Sequence, residues 1–208
     1  MVVGLVRGIR GMLTRTTTQI LESLRDPSNG EMWRQFDERY RPILIGFARR
    51  QGLADDDAAD VAQTALTQFA ADYREGKYQR ERGRLSSWII GIARNRITDL
   101  KRAQVKRRID RGESALIDVS DDETVQRDWE DSRQRVILER AMHILRSDTR
   151  LDERTIRAFD LCALRQVPPQ EAAVQCGMSV AEVYVAKNRA IKKLREIVAQ
   201  LTQEFDEP

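Results

Sequence analysis

The chain has 208 residues, of which 33% are charged and 41% hydrophobic, with a formal net charge of +3. That length accommodates one large core or two small ones at roughly 150 residues per domain, and the polarity is high for a globular protein without reaching the range of general disorder. Its longest apolar run, Pro42 to Ala48, is seven residues, far below the ~20 needed to cross a bilayer. No secretory h-region follows the start, so neither membrane insertion nor export is expected. Cys162 and Cys176 are the only cysteines and His143 the only histidine. A disulfide framework and a Cys/His metal cage are therefore excluded within one chain, a reducing cytoplasm fits best, and no metal or other cofactor is expected. No Walker loop, GxSxG elbow or HExxH motif occurs, which favours binding over catalysis.

Charge is segregated along the chain. Residues 51–73 carry a net −5, residues 74–111 a net +9 and residues 112–131 a net −7. Apolar spacing is helical outside the last of these blocks, and Gly or Pro marks breaks at Pro27, Gly52, Gly83 and Pro168-Pro169. The predicted fold class is all-α, with two small helical domains joined by a flexible acidic linker. The expected layout is an extension at 1–16, a first domain at 17–111, a linker at 112–131 and a second domain at 132–208. The basic, glycine-punctuated extension reads as a floppy arm, and the linker keeps neither a helical nor a strand period for long.

In the first domain, Asp55 to Asp72 predicts a helix with two faces. Advancing about 100° per residue gathers Ala58, Val61, Ala62, Ala65, Leu66 and Phe69 on one side, and Asp56, Asp57, Asp60, Gln63, Thr64 and Thr67 opposite. The apolar side is core. The polar side is either a solvated face whose leading aspartates complement the helix dipole, or a docking face for a basic partner.

Downstream, Lys77 to Arg108 predicts a basic loop feeding a long amphipathic helix, with Leu85, Ile89, Ile92, Ala93, Ile97 and Leu100 inward. Arg94, Thr98, Lys101 and Arg102 face away, and Arg96 intrudes on the apolar side. This is either an ordinary charged surface helix or a nucleic-acid surface. Tyr78 and Trp88, interleaved with arginines, suit stacking on unpaired bases if Trp88 is not simply core.

Near the C-terminus, Pro168 to Arg195 predicts a helix-turn-helix. Pro169 suits a first helical position, Gly177 the turn, and Ala173, Val183 and Ala186 the packed seam between helices. Ser179 and Glu182 form a capping box, and Met178 with Val183 stands at the two positions of a hydrophobic staple. Ala181, Glu182, Tyr184, Val185, Lys187, Asn188 and Arg189 point outward toward a major groove, with Lys192, Lys193 and Arg195 toward phosphates.

Taken in order, DAADVAQTAL at Asp57 to Leu66, RGRLSSWIIGIARNRITDL at Arg82 to Leu100 and AAVQCGMSVAEVYVAKNRAIKKLR at Ala172 to Arg195 resemble bacterial RNA polymerase sigma factors of the extracytoplasmic-function branch, over Leu21 to Leu201. The resemblance implies a non-enzymatic specificity subunit whose partners are core RNA polymerase and promoter DNA. It implies core-polymerase docking by Asp57, Asp60 and Gln63, with Thr64 on the same face. It implies minus-ten contacts by Arg80, Arg82, Arg84, Trp88, Asn95 and Asp99, with Arg102 and Lys106 on phosphates. For the minus-thirty-five element it implies Ser179, Glu182, Tyr184, Lys187, Asn188, Arg189 and Lys192.

Leu85 stands where the family commonly has an aromatic residue, and Tyr184 and Ala186 where its upstream reader often has basic ones, so promoter sequence does not carry over. Arg25 to Leu44 resembles members from kinase-rich bacteria, some of which are controlled by a Ser/Thr kinase instead of an anti-sigma protein; Thr64 is then either a phosphosite that adds charge to the docking face or an ordinary helix threonine that is never modified. The competing function is a stand-alone helix-turn-helix regulator. A helical enzyme holding a divalent metal on Asp56, Asp57 and Asp60 is disfavoured, because one exposed helix supplies no converging second set of ligands.

Overall fold

The computed structural model describes residues 17–24, 26, 30–79, 81, 83–111, 120–147 and 151–205. All regular elements among them are helical, without a strand, and no helix is long and apolar enough to cross a membrane. They are α1 (Thr17–Ser23), α2 (Gly30–Arg50), α3 (Asp55–Arg74), α4 (Leu85–Ile109), α5 (Asp122–Ser147), α6 (Glu153–Phe159), α7 (Pro169–Cys176) and α8 (Val180–Phe205). A π-helical turn, Asp160–Leu164, continues α6. The predicted extension at 1–16 lies outside the described residues. The chain divides into two compact units, one through Val136 and one over Ile137–Phe205, so that α5 contributes its first half to one and its second half to the other.

In the first unit α2, α3 and α4 enclose one core. The apolar side expected of α3 is buried in full, from Ala58 through Phe69. Opposite it α2 buries Met32, Phe36, Tyr40, Ile43, Leu44 and Phe47 at spacings of three and four, and α4 buries Leu85, Ile89, Ile90, Ala93 and Ile97. Ile92 and Leu100, expected inward, are half-buried. Rings tie the elements together: Phe36 stacks on Phe69 at 5.0 Å, and Trp33 meets Phe36 edge-on at 6.0 Å. The Tyr73 hydroxyl donates to the Leu21 carbonyl, which anchors α1. Gly52 turns α2 into α3 at φ +89°, and the Leu53 amide donates to the Ala48 carbonyl at 3.2 Å while the Gly52 amide donates to Arg49 at 2.9 Å. That pair of bonds is a Schellman closure, which requires a left-handed residue and so favours glycine.

The expected linker needs correction. Residues 112–119 lie outside the described residues, but from Asp122 onward the acidic segment is the helix α5. Asp121 initiates it, its carboxylate accepting the Thr124 amide at 2.7 Å, and that hydrogen bond holds the carboxyl below its ordinary pKa. Val125, Trp129, Ser132 and Val136 follow at helical spacing and are all buried. Trp129 sits edge-on to Phe47 at 5.9 Å, Gln51 donates to Asp128 at 2.6 Å, and Arg50 pairs with Asp131 at 3.1 Å. The helices touch where α2 has no side chain: a Cβ at Gly46 would lie 3.3 Å from Ser132. Only three of the four stripe residues are apolar, which is why the period escapes notice among so many acidic neighbours.

The second unit contains the second half of α5, α6, α7 and all of α8, with a core of Ala158, Leu161, Ala172, Ala173, Cys176, Val183 and Ala186. Pro169 opens α7, and Gly177 ends it in the left-handed region at φ 59°. The Met178 amide donates to Ala173 at 3.0 Å, giving the same closure as at Gly52. The capping box forms in both directions: the Ser179 amide donates to the Glu182 carboxylate at 2.6 Å, and the Glu182 amide to the Ser179 hydroxyl at 3.3 Å. Met178 packs against the same cluster that buries Val183. Arg154 of α6 clasps the turn from outside, donating from Nε to the Cys176 carbonyl at 3.1 Å and from Nη2 to the Gly177 carbonyl.

The hydrogen bond from the Ser179 amide, first among its causes, lowers the Glu182 pKa, and the Thr155 amide does the same for Asp152 at the start of α6. A carboxylate whose pKa is lower in the folded state stabilises the fold above its unfolded pKa and loses that contribution as pH falls through its folded value. Glu182→Gln should therefore lower the thermal midpoint of the second unit at neutral pH. The gap to the wild type should close once both are melted in acid below the lowered pKa of Glu182. A pH-independent gap would show that the carboxylate charge contributes nothing to the cap.

Candidate functional site

The polar face of α3 stands away from its core: Asp56, Asp60, Gln63, Thr64 and Thr67 are exposed and Asp57 is half-exposed. Neighbouring helices hold parts of it in place. Gln104 of α4 donates to the Asp57 carboxylate at 3.0 Å, and Arg41 of α2 donates to the Gln63 side-chain oxygen at 2.7 Å. Gln63 in turn donates to the Thr67 hydroxyl at 3.3 Å. Among the described residues Asp56, Asp60 and Thr64 have no side-chain partner, which leaves two carboxylates free on a rigid helix. Beside this face a groove of about 370 Å³ opens between α2 and α3, lined by Trp33, Phe36, Gln63, Leu66, Thr67 and Arg74 among others. The Arg74 guanidinium lies over the Trp33 ring at 5.2 Å. Gln63 and Thr67 thus belong both to the acidic face and to an aromatic-floored groove, a combination that suits a basic, partly apolar partner.

Along α4, a rotation of about 100° per residue places Trp88, Asn95, Asp99, Arg102 and Lys106 within an arc of roughly 60°. Asn95, Asp99, Arg102 and Lys106 are exposed, so this stripe is accessible over much of the helix. Asp99 and Arg102 within it pair at 3.7 Å and are exposed on both sides, and such a pair is worth little against a phosphate. Trp88 is half-buried, edge-on to Tyr78 at 6.1 Å, and its Nε1 is buried with no hydrogen bond among the described residues. Tyr78 joins it to Tyr73 and Phe69, so the indole rests on the aromatic core. Arg84 is exposed at the N-cap position of α4. Arg80 and Arg82 lie outside the described residues.

Arg94, expected to face away from the apolar side, is half-exposed there, where it pairs with Asp122 and donates to the Ser120 carbonyl at 3.1 Å. Arg96, on the apolar side, is half-buried with its Nε carrying no hydrogen bond among the described residues.

At the C-terminal pair, Tyr184, Asn188, Arg189 and Lys192 are exposed on α8 and Lys187 is half-exposed. Ser179 and Glu182 are exposed too, but their side chains are committed to each other's backbone. They set where α8 begins. Arg41, Gln104 and Arg154 were missed from sequence. Each acts on a residue 22 to 47 positions away, and no local pattern encodes such a contact.

Residues 36–107 match the family model described as Sigma-70 region 2. The matched stretch begins at Phe36 in α2, takes in all of α3 and ends at Arg107 in α4, so it holds both the acidic face and the cationic stripe. This similarity supports a sigma-70 family RNA polymerase sigma factor, with a role in polymerase binding and promoter recognition. A search of curated proteins gave no significant match.

Proposed function

We propose that the chain is an alternative sigma factor of the extracytoplasmic-function branch, a promoter-specificity subunit without catalytic activity of its own. Its first unit docks on core RNA polymerase through the α3 face, with Asp57, Asp60, Gln63 and Thr64 at the contact. The neighbouring loop and α4 then hold opened minus-ten DNA, with Arg80, Arg82, Arg84, Trp88, Asn95 and Asp99 toward unpaired bases. Arg102 and Lys106 take phosphates. In the second unit α7 and α8 act as a helix-turn-helix on the minus-thirty-five element, through Tyr184, Lys187, Asn188, Arg189 and Lys192.

The observation that carries this reading is the pairing, inside the stretch similar to Sigma-70 region 2, of free carboxylates on α3 with a cationic, tryptophan-bearing stripe on α4. Opposite charges on two faces of one small unit suit a protein that must grip a basic protein surface and DNA together. Short aspartates lose little rotamer freedom on docking, and Trp88 adds a stacking surface worth ~1–3 kcal/mol for an unpaired base.

Regulation by an anti-sigma protein or a Ser/Thr kinase belongs to the same reading. Thr64 is exposed one turn beyond Asp60, and a phosphate there would add about −1.5 to −2 charge to the docking face.

Reconstituted transcription tests the proposal. Core polymerase from the same host, supplied with this chain and a matched promoter, should initiate from a defined start. A transcript that appears only when a separate sigma subunit is added would instead support a stand-alone regulator.

A further inference from the structure

The outward face of α8 differs in kind along its length. Val183, Ala186, Ala190 and Ile197 are buried and fix the inward direction. At about 100° per residue, Ala181, Tyr184, Val185 and Asn188 then fall within roughly 50° of the opposite direction. Lys192 and Arg195 follow on the same face. Arg189 lies roughly 90° from its centre and Lys187 roughly 110°, so no cation occupies the central face in the first two turns. Instead Val185 is 67% exposed and Tyr184 50% exposed, two of the few large hydrophobic side chains left in solvent. Asn188 is exposed between them one turn on.

We infer that the first two turns of α8 read A·T base pairs, with Val185 and Tyr184 against thymine 5-methyl groups and Asn188 on the adjacent adenine. The inference rests on the reading of α7 and α8 as a helix-turn-helix and specifies what that helix recognises. In such a motif the N-terminal residues of the second helix meet base edges, and later residues meet the backbone. Apolar side chains in the major groove recognise the thymine methyl group, asparagine pairs in bidentate fashion with adenine N6 and N7, and guanine is read chiefly by arginine or lysine. The α8 face has the first two kinds and lacks the third where base edges would lie.

Charge complementarity names duplex DNA as the occupant. Lys187, Arg189, Lys192 and Arg195 flank the apolar patch, while Glu182 is spent on its cap and Glu196 lies 3.7 Å from Lys193. A protein partner for the apolar patch would have to tolerate that cationic rim. The capping box and the Arg154 clasp give the face a fixed start, as readout at single base pairs demands.

The test begins with selection from random duplexes, by the full-length chain on core polymerase and by the chain alone. In the selected upstream element each thymine is then replaced by deoxyuridine, which removes only the methyl group. At one or two positions wild-type affinity should fall about three- to fivefold per methyl lost. Val185→Ala, exposed enough to leave folding intact, should bind the thymine duplex more weakly and lose most of the thymine preference at one of those positions, the other being kept by Tyr184. Asn188→Ala should lose roughly tenfold at the neighbouring A·T pair.

If no duplex is enriched by either form, the promoter-reader function fails and this inference with it. If an element is enriched but uracil binds as well as thymine at every position, the inference alone is overturned. The same holds if Val185→Ala discriminates as the wild type does.

Discussion

Trp129→Ala should cost the first unit about 3–5 kcal/mol of stability, the range for truncating a large buried aromatic side chain. Trp129 is 2% exposed and meets Phe47 edge-on at 5.9 Å, a geometry that adds to simple burial. Of the neighbouring polar contacts, Gln51 to Asp128 is part-buried, and Arg50 to Asp131 is an exposed pair that contributes little. Because whole domains are stable by only ~5–15 kcal/mol, the loss should show as a large drop in the thermal midpoint. Hydrogen exchange should also quicken over the amides of α5 up to Val136. A change below about 1 kcal/mol with unaltered exchange would mean that the acidic segment does not pack on α2 in solution, and would restore the linker reading.

Asp60→Arg should weaken binding to core polymerase by about 100-fold while leaving the melting curve nearly unchanged. Asp60 is exposed and has no side-chain partner among the described residues, so its replacement breaks nothing within the fold. Exposed substitutions of that kind usually lie within ~0.5 kcal/mol. At an interface with a basic surface the same change replaces attraction with like-charge repulsion, which costs several kcal/mol, and about 2.7 kcal/mol corresponds to 100-fold. Asp57→Arg is a less clean probe, because Gln104 also loses its acceptor there.

The two faces of α3 were legible because apolar residues alternate with short polar ones, acidic in the first two turns, and a 3.6-residue period leaves little ambiguity in such a pattern. The turn at Gly177 and the cap at Ser179 and Glu182 were legible for a different reason. They are local: every partner lies within a few residues, so spacing alone specifies the bonds.

The start of α5 was not legible. Its stripe includes Ser132, which is buried because Gly46 on another helix leaves room for it, and that complementarity exists only between two distant segments. The partners of Arg94 were not legible for the same reason, since Ser120 and Asp122 arrive only once α5 has folded back. The groove beside α3 likewise depends on Trp33 of α2 meeting Arg74 of α3.

Purified full-length chain, wild type and Asp60→Arg, should be titrated against core polymerase from its own host, with melting curves recorded for both. The account predicts saturable one-to-one binding by the wild type and a loss of about 100-fold for the variant at an equal midpoint. Absence of binding by the wild type, or equal affinity of the two, would contradict the claim that the free carboxylates of α3 grip the polymerase.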